Sequence, residues 1–259
     1  MATSYVICAA GRGSRTKVIN DKIPKALLQI NGMTLLEYAI GSLPIRAEDQ
    51  LIIIGQAEDQ LSRIAPKLKV ATSHLGWLEL SSMTAGQLQT AYLAREKIVE
   101  NNAIAIFNSD SCFRSALLLE KMQGSKWQGI VPCSIEPGDS WSFCKVRDSI
   151  VGEYNLEEIA EKRRISKWCS VGFYYFREPQ LFFKLAEEEL QRDLSTSVGM
   201  GEFYVSSIYN RYLNSGHEIL ILPVEEFKAM GSPEQFRHYW GLSIEQLKLQ
   251  NSNSMWKIE

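Results

Sequence analysis

The stretch Tyr5-Val-Ile-Cys-Ala-Ala-Gly-Arg-Gly-Ser-Arg-Thr16 joins the first apolar run of the chain to a short loop with two glycines and two arginines. A short apolar run that ends in such a loop is typical of a buried strand whose end approaches a ligand. Further apolar runs lie at residues 50–55, 67–72, 103–107 and 129–134, with segments of helical spacing between them at 34–42, 58–65, 86–100 and 115–122. This alternation predicts a mainly parallel sheet covered by helices on both faces.

The second half of the chain has a different pattern. Residues 142–147, 150–154 and 170–176 are short strand-like runs separated by polar turns, which favours antiparallel pairing. Two helical segments at 179–192 and 202–215, a strand at 218–223 and a helical stretch from Ser232 follow, and the polar tail from Asn251 is expected to fray. We therefore predict one α/β domain with a small inserted β layer.

Composition excludes several classes of protein. The 259 residues include 28 Lys plus Arg and 30 Asp plus Glu, for a net charge of −2, so no basic surface for nucleic acid or an anionic membrane is indicated. No apolar run approaches the roughly 20 residues that cross a bilayer, and the N-terminus lacks a cationic leader. The five cysteines show no Cys-x-x-Cys spacing. We expect a soluble, cytoplasmic protein with reduced cysteines.

The glycine loop has the residues of an anion site. Gly11 and Gly13 let the backbone approach a ligand and direct N–H groups at it, and Arg15 and Lys25 would bracket a polyphosphate. The loop lacks the Gly-Lys-Ser/Thr of a P-loop and the third glycine of the dinucleotide fingerprint. Glycines alone would indicate an ordinary turn, and the two basic residues favour phosphate binding.

A second candidate site follows the apolar run at 103–107. Asp110 comes at the carboxyl end of a predicted parallel strand, where ligands of open α/β sheets bind, and its carboxylate would hold Mg²⁺ with nucleotide phosphates. The alternative is an ordinary helix N-cap or Asx turn.

The third candidate is the pair Glu161-Lys162 at the end of a short strand. The lysine would neutralise an acceptor phosphate, the glutamate would accept from hydroxyl groups, and Gly172 would let an acceptor ring lie against the backbone. Arg163 and Arg164 are read as a solvated turn.

Taken in order, these motifs resemble the nucleotidyltransferases of the sugar-1-phosphate nucleotidylyltransferase-like family. The family signature is a Gly-x-Gly-Thr-Arg loop, then Pro-Lys and a leucine-rich segment. The matching residues here are Gly11-Arg-Gly-Ser-Arg15, Pro24-Lys25-Ala-Leu-Leu28, Asn31-Gly-Met-Thr-Leu-Leu-Glu-Tyr38, Thr84-Ala-Gly-Gln87, Asp110, Glu161-Lys162, Gly172 and Gly231-Ser-Pro-Glu-Gln-Phe236. The resemblance spans roughly residues 4 to 240, nearly the whole chain.

The resemblance implies a Rossmann-like three-layer α/β/α fold with a nucleotidyltransferase domain over residues 1–242 and a C-terminal helix and tail at 243–259. The nucleotide-binding half would cover about 1–135 and the acceptor-binding half about 136–242. It also implies Mg²⁺-dependent transfer of a nucleotidyl group to a phosphorylated acceptor, which attacks the α-phosphorus and expels pyrophosphate. Because the acceptor phosphate is already an anion, no general base is needed, and catalysis depends on positioning and charge neutralisation.

Residue roles are carried over in the same way. Arg15, Lys25, Asp110 and Lys162 would be catalytic, with Asp110 as the metal ligand. The nucleotide would contact Ala10, Gly11, Gly13, Ser14, Arg15, Lys25, Met83, Gly86 and Gln87. The acceptor would contact Glu161, Lys162, Gly172 and Glu202.

The chain departs from the family pattern in two places. Many relatives have Asp-Ile-Gly-Thr-Pro near the C-terminus, with the aspartate as second metal ligand, where this chain has Ala229-Met-Gly-Ser-Pro233. Glu225 or Glu226 would have to substitute, or Asp110 and the phosphates would suffice. Ser14 replaces the usual threonine and keeps the hydroxyl.

Residues 201–210 place Glu202, Ser206, Tyr209 and Asn210 at helical spacing, as one polar and aromatic face. This face would either line the acceptor pocket together with Trp141-Ser-Phe143, which favours an acceptor other than plain hexose 1-phosphate, or pack in the core. The three histidines, His74, His217 and His238, have no ligand spacing and are read as ordinary residues.

The leading hypothesis is an enzyme that transfers NMP from CTP, dTTP or UTP to a phosphorylated sugar or small metabolite, for precursors of surface glycans or lipids. The partners would be the triphosphate and the acceptor, with no nucleic acid, no membrane insertion and a possible homo-oligomer. The alternatives are a catalytically impaired nucleotide-binding regulator, suggested by Ala229, and a nucleotide-sugar-dependent glycosyltransferase. Arg15 and Lys25 argue against the glycosyltransferase, which has no triphosphate to hold.

Overall fold

A ten-stranded mixed sheet forms the centre of the computed structural model, which describes residues 1–124, 126–147, 153–192 and 201–258. The strands are β1 (Thr3–Cys8), β2 (Gln29–Ile30), β3 (Met33–Thr34), β4 (Gln50–Gln56), β5 (His74–Leu80), β6 (Ala103–Asn108), β7 (Ser111–Arg114), β8 (Gly129–Ser134), β9 (Ser142–Arg147), β10 (Tyr154–Glu161), β11 (Cys169–Ser170), β12 (Phe173–Phe176), β13 (Ile219–Pro223) and β14 (Glu226–Ala229). The helices are α1 (Leu35–Gly41), α2 (Gln87–Tyr92), α3 (Leu118–Gln123), α4 (Pro179–Leu190), α5 (Ser206–Asn214), α6 (Pro233–Trp240) and α7 (Ile244–Asn251).

The strand order in the main sheet is β11-β9-β10-β13-β8-β12-β6-β1-β4-β5. Strands β6, β1, β4 and β5 are parallel, and β12 enters antiparallel between β6 and β8. The inserted β segment is present as β9, β10 and β11, and these strands extend the main sheet instead of forming a separate layer. Two short pairs, β2 with β3 and β7 with β14, lie outside it.

Both faces of the sheet are covered, as the buried residues of β1 show. Tyr5 and Ile7 belong to the core on one face and Val6 to the core on the other, because successive side chains of a strand point to opposite faces. The first core includes apolar residues of α1, α3, α6 and α7, and the second includes those of α2, α4 and α5. The predicted three-layer α/β/α architecture is confirmed.

Local signals account for the helix ends. Thr34 and Glu37 form a reciprocal capping box at the start of α1, with the Glu37 N–H donating to Thr34 Oγ1 at 3.1 Å and the Thr34 N–H donating to the Glu37 carboxylate at 2.7 Å. Gly241, with φ of 64°, ends α6 in the left-handed conformation, so the predicted last helical stretch is two helices.

Four predicted elements differ from the structure. Residues 67–72 are not a strand, and the edge strand is β5, which pairs with β4 along its length. The helix predicted at 58–65 is two 3₁₀ segments, because Gln60 adopts φ of 48° between them. Of the helix predicted at 86–100, only α2 and a 3₁₀ turn at Arg95–Lys97 form. The helix predicted at 202–215 begins at Ser206, and most of the strand predicted at 150–154 lies outside the described residues.

The prediction of a frayed C-terminal tail is wrong. Trp256 is only 3% exposed and belongs to the core, and the Ile258 N–H donates to the carbonyl of Lys22 at 2.8 Å. The side chain of Asn251 bonds to both backbone groups of Gln29, at 2.8 and 3.0 Å. The buried Trp256 ring and these hydrogen bonds thus anchor the end of the chain against the first half.

This anchoring can be measured as stability. Replacing Trp256 with Ala should lower the free energy of unfolding by about 3–5 kcal/mol, the usual cost of emptying a buried aromatic site. Leu249→Ala is the control: Leu249 is 76% exposed, so its loss should change stability by less than about 0.5 kcal/mol. Urea unfolding measures the free energy of unfolding of both variants. Equal losses in the two variants would contradict a packed tail.

No helix in the described part of the chain is both long enough and apolar enough to cross a membrane.

Candidate active site

The glycine loop and the Asp110 turn lie side by side because they follow neighbouring parallel strands. Cys8, the last residue of β1, is in register with Asn108, the last residue of β6. Two adjoining cavities, of about 770 and 290 Å³, open at this edge of the sheet. The residues that line both cavities are Arg15, Gln87, Asn108, Asp110, Ser140, Lys162 and Glu202. We call this set the junction.

The glycine loop presents Arg15 to the junction. Gly13 has φ of 59°, and a Cβ there would lie 2.9 Å from the Cβ of Lys25, so glycine is needed for both conformation and space. Residues Ser14–Thr16 then form a 3₁₀ turn closed by Thr16, whose N–H and Oγ1–H both donate to the Gly13 carbonyl. The guanidinium of Arg15 makes no ion pair with any described residue.

Lys25 and Asp110 form an ion pair at the centre of the site. Their side chains are 17% and 23% exposed. Burial alone would raise the pKa of the Asp110 carboxyl, but the ammonium of Lys25 and the guanidinium of Arg15 outweigh it and hold that pKa below its usual value. Asp110 therefore carries its negative charge in the folded protein at neutral pH.

Gly231 leaves a small space beside the Asp110 carboxylate. A Cβ at Gly231 would lie 2.9 Å from both Asp110 Oδ2 and Gln235 Oε1, and 3.4 Å from Arg15 Nη2. Two oxygen donors and a cationic nitrogen thus converge on the same point. Gln235 is held there because its Oε1 accepts from the Gly231 N–H at 2.7 Å.

The two oxygens, without the guanidinium, fit a Mg²⁺ ion held by one carboxylate and by substrate phosphates, which is the usual way that proteins bind Mg²⁺ with nucleotides. In the described ranges no group of three or more His, Cys, Asp or Glu side chains is placed to hold a metal by itself. Glu225 and Glu226 do not replace the family aspartate, since neither lines a cavity: Glu225 accepts from the Ala116 N–H and Glu226 pairs with Arg114 at 2.9 Å. Ala229 lines the smaller cavity.

The larger cavity has a glycine at its far side. Gly86 has φ of 125°, and a Cβ there would lie 2.5 Å from the carbonyl oxygen of Phe203. Next to it, Gln87 Nε2 donates to Asn108 Oδ1 at 2.5 Å, which ties this wall to the end of β6. Met83 lies at the rim and is largely exposed.

A substitution at Gly86 tests how closely this wall approaches Phe203. Gly86→Ala should destabilise the protein by about 1–3 kcal/mol for a backbone conformation that essentially only glycine adopts, and by about 1–3 kcal/mol more for the collision with Phe203. Gly138→Ala is the matched control, because Gly138 also has positive φ, 76°, but has nothing within 4 Å of its Cβ position. Denaturant titration that found equal losses in the two variants would contradict the close approach.

The smaller cavity ends at Glu161 and Lys162. The Glu161 carboxylate accepts from the hydroxyls of Ser142 and Ser206, the latter at 3.1 Å, yet burial raises its pKa. Lys162 has φ of 52°, its N–H donates to the Trp141 carbonyl at 2.8 Å, and its Nζ donates to the Tyr204 hydroxyl at 2.8 Å. The left-handed residue turns the lysine from the end of β10 into the junction.

Tyr204 and Gly172 complete this side. The Tyr204 hydroxyl donates to Glu202 at 2.8 Å, so Lys162, Tyr204 and Glu202 form a hydrogen-bonded chain. Gly172 has φ of 87°, and a Cβ there would collide with the side chain of Asn108. The glycine therefore serves the packing of β6 against the β11–β12 turn as well as the cavity wall.

Every residue to which the family resemblance gave a catalytic, nucleotide-binding or acceptor-binding role lines one or both cavities. The junction and wall residues without a predicted role include Asn108, Ser140, Tyr204 and Gln235. For Asn108 a signal was present, since it stands two residues before Asp110 at the end of the same strand.

The predicted polar face at 201–210 is only partly at the site. Glu202 lines the cavities, whereas Tyr209 is fully buried and donates to the carbonyls of Ile130 and Tyr175, each at 3.0 Å. Asn210 bonds to both backbone groups of Ile159 in β10. Of the segment Trp141-Ser-Phe143, the first two residues line the smaller cavity and Phe143 is in the core. The three histidines line neither cavity.

Known proteins share this architecture. A nucleoside-diphosphate-sugar pyrophosphorylase from Vibrio cholerae RC9 has a TM-score of 0.77 and 24% identity, covering 92% of this chain and all of that one. The bifunctional protein GlmU of Streptococcus equi subsp. zooepidemicus is 23% identical over 88% of this chain, which spans about half (48%) of that relative's length. A choline-phosphate cytidylyltransferase of Streptococcus pneumoniae is 36% identical over 66 residues, 25% of this chain and 29% of that protein.

The family model described as the MobA-like NTP transferase domain matches residues 5–142, which include the glycine loop, Lys25, Gly86 and Asp110. The predicted resemblance to sugar-phosphate nucleotidyltransferases and the predicted α/β fold are confirmed. The chain belongs to the MobA-like NTP transferase domain family.

Proposed function

We propose that the protein transfers a nucleotidyl group from a nucleoside triphosphate to a phosphorylated small molecule and releases pyrophosphate. The observation that carries this proposal is the junction, where Arg15, Lys162 and Asp110, the partner of Lys25, stand between a larger and a smaller cavity. Two substrates that each fill one cavity would meet there with their phosphates.

The larger cavity suits the triphosphate. Its walls include the loop from Ala10 to Arg15, Lys25, and the segment from Met83 to Gln87. Backbone N–H groups of the loop would face the phosphates, and the two cations would neutralise them. The base would lie along Gly86, where the wall is formed by backbone.

The smaller cavity suits the acceptor. Lys162 and Arg15 at the junction would bind its phosphate, and Glu161 and Gly172 would contact the rest of the molecule. A phosphate oxygen of the acceptor forms a bond to the α-phosphorus while the bond from that phosphorus to the bridging oxygen breaks, and pyrophosphate leaves with the electron pair. No proton has to be removed from the nucleophile, so the residues act by position and charge.

Asp110 would hold Mg²⁺, with Gln235 Oε1 as the neighbouring oxygen donor in place of a second carboxylate. When bound, the ion would neutralise negative charge on the phosphates during transfer. The Lys25 ammonium is paired with the Asp110 carboxylate in this structure. It would therefore have to move towards the triphosphate as the ion and the nucleotide enter.

CTP, UTP and dTTP are the proposed donors, and precursors of surface glycans or lipids are the proposed products. Residues 1–135 and 136–242 would supply the two halves of the site, in a protein of the cytoplasm. The V. cholerae and pneumococcal relatives, named for nucleotide sugars and for a cytidylyl group, are consistent with these donors.

Nucleotide binding tests the first half of the proposal. In a thermal-shift panel of ATP, CTP, GTP, UTP and dTTP with Mg²⁺, a triphosphate at about 100 times its Kd should add about 2.7 kcal/mol of stability. Pyrophosphate release with that triphosphate and a panel of phosphorylated acceptors then tests the transfer.

Two other outcomes identify other functions. A selective triphosphate shift without pyrophosphate release from any acceptor would favour a nucleotide-binding regulator, for which Ala229, in place of a carboxylate, is the supporting observation. Turnover of a UDP-sugar without pyrophosphate release would favour a glycosyltransferase.

A further inference from the structure

The walls that belong to the smaller cavity alone are aromatic and acidic. Of the residues described there, four carry rings, and Glu161 is the one charged side chain that is not also part of the junction. The rings are those of Trp141, Tyr174, Tyr204 and Phe227. All cationic side chains that reach this cavity, Arg15 and Lys162, stand at the junction, where a phosphate would lie.

Three of the four serine hydroxyls in the described walls of this cavity are already engaged. Ser142 Oγ donates to Glu161, Ser111 Oγ donates to the Val171 carbonyl at 3.1 Å, and Ser170 Oγ accepts from the Gly172 N–H at 3.0 Å. A sugar ring needs several directional partners for its hydroxyls, because each one left unpaired in a closed site costs binding free energy. Few such partners remain here.

An ammonium group needs different partners from those of a sugar ring. It needs aromatic faces and a carboxylate but few directional hydrogen bonds, as in the aromatic cages that bind quaternary ammonium ligands. In this structure the Lys162 ammonium lies 5.0 Å from the centre of the Tyr204 ring and donates to its hydroxyl at 2.8 Å, so it sits at the hydroxyl edge of that ring and not over its face.

The acidic groups add to this preference. Burial raises the pKa of Glu161 in spite of its hydrogen bonds from Ser142 and Ser206, so a nearby positive charge would stabilise the carboxylate. Glu202, at the junction, contributes a second carboxylate, tied to the rim by the Tyr204 hydroxyl.

We infer that the acceptor is a phosphorylated amino alcohol, with an ammonium or quaternary ammonium head group among Trp141, Tyr204 and Glu161 and its phosphate at Lys162. This inference rests on the proposed nucleotidyl transfer and names its acceptor class. It distinguishes this cavity from one built for a neutral sugar ring.

The test compares acceptors that differ in charge but not in shape. Phosphocholine and 3,3-dimethylbutyl phosphate have the same heavy-atom skeleton, with nitrogen in one and carbon in the other. With the triphosphate chosen by thermal shift and Mg²⁺, kcat/KM from pyrophosphate release should be about tenfold or more higher for phosphocholine than for the neutral analogue. The kcat/KM for phosphocholine should also exceed that for glucose 1-phosphate. Equal values, or a preference for glucose 1-phosphate, would overturn the inference.

Variants of the smaller cavity test whether the preference for phosphocholine arises there. Glu161→Gln should lower kcat/KM for phosphocholine by about tenfold more than it lowers kcat/KM for the neutral analogue. Trp141→Leu should act in the same direction without altering any charge. The matched control is Glu157→Gln, on the same strand, where the exposed carboxylate pairs with Lys145 at 2.6 Å outside both cavities. An equal loss of kcat/KM for both acceptors in Glu161→Gln would show that Glu161 has a merely structural role, and would contradict the assignment.

Calorimetry separates the failure of this inference from that of the proposed function. If a triphosphate binds but no acceptor releases pyrophosphate, the transfer proposal fails. Binding of phosphocholine and of 3,3-dimethylbutyl phosphate to the wild-type protein then decides the cation site by itself. Tighter binding of phosphocholine supports it, and equal or undetectable binding of both overturns it.

Discussion

Replacing Asp110 with Ala should lower the kcat for pyrophosphate release by about 10²–10³-fold, the range for loss of a group that stabilises transition-state charge. Asp110 is the one carboxylate in the described residues that lies between Arg15 and Lys25 at the meeting point of the cavities. Without it the ion loses the carboxylate that lies between Arg15 and Lys25, and Lys25 loses its partner.

Two comparisons make the result specific. Asp110→Asn keeps the size of the side chain and removes its charge, so it should resemble Asp110→Ala in kcat if charge is what matters. Asp21→Ala removes an exposed aspartate outside the site and should leave kcat unchanged. Wild-type turnover in Asp110→Asn would show that the carboxylate does not hold the metal.

Replacing Lys25 with Met should also lower kcat, by about 10²–10³-fold, because the ammonium that would move to the triphosphate is gone. Lys22→Met, an exposed lysine three positions away, is the control. Since Lys25 and Asp110 are paired in the free protein, the loss in the double variant should be smaller than the sum of the two single losses expressed as free energies. Additive losses would show that the two residues act independently.

Lys25→Met should also change how the stability of the protein depends on pH. In the wild type the pKa of Asp110 is lowered, so its stabilising contribution is present at neutral pH and is lost as the pH falls below the unfolded value of about 3.9. In Lys25→Met, burial is opposed only by Arg15 and a backbone hydrogen bond, so the carboxylate is less favourable at pH 7. The loss of stability, about 1–3 kcal/mol at pH 7, should shrink as the pH is lowered through 4. A loss that is constant with pH in urea titrations would contradict this electrostatic origin.

That the glycine loop and the Asp110 turn lie side by side could be predicted from the sequence, because both are local features. A glycine loop and an acidic turn each follow directly on an apolar strand, and parallel neighbouring strands bring such ends together. The same reasoning places Glu161-Lys162 correctly, since both stand at the end of β10.

Residues whose position depends on distant pairing were not predictable in this way. Gln235 reaches Asp110 only because β14 pairs with β7, which directly follows the Asp110 turn, and α6 starts just beyond β14. Tyr204 depends on its hydrogen bonds to Lys162 and Glu202. Tyr209, by contrast, carries a polar atom and shares a helical face with site residues, yet two backbone carbonyls bind it in the core.

The misassigned edge strand has a related cause. Residues 67–72 and β5 are both short apolar runs, and periodicity does not distinguish them. Pairing with β4 over seven residues selects the later run. Trp256 shows the same effect, because one buried ring outweighs the polar composition of the tail.

The most direct test of the proposed chemistry follows the oxygen atoms of the acceptor. With phosphocholine labelled by ¹⁸O in its phosphate, the selected triphosphate and Mg²⁺, ³¹P NMR of the products reports where the label goes. We expect a nucleotidyl acceptor with ¹⁸O bridging to the α-phosphorus, unlabelled pyrophosphate, and no pyrophosphate when the acceptor is omitted. Pyrophosphate that forms at the same rate without acceptor, or ¹⁸O that appears in pyrophosphate, would contradict attack by the acceptor phosphate at the junction.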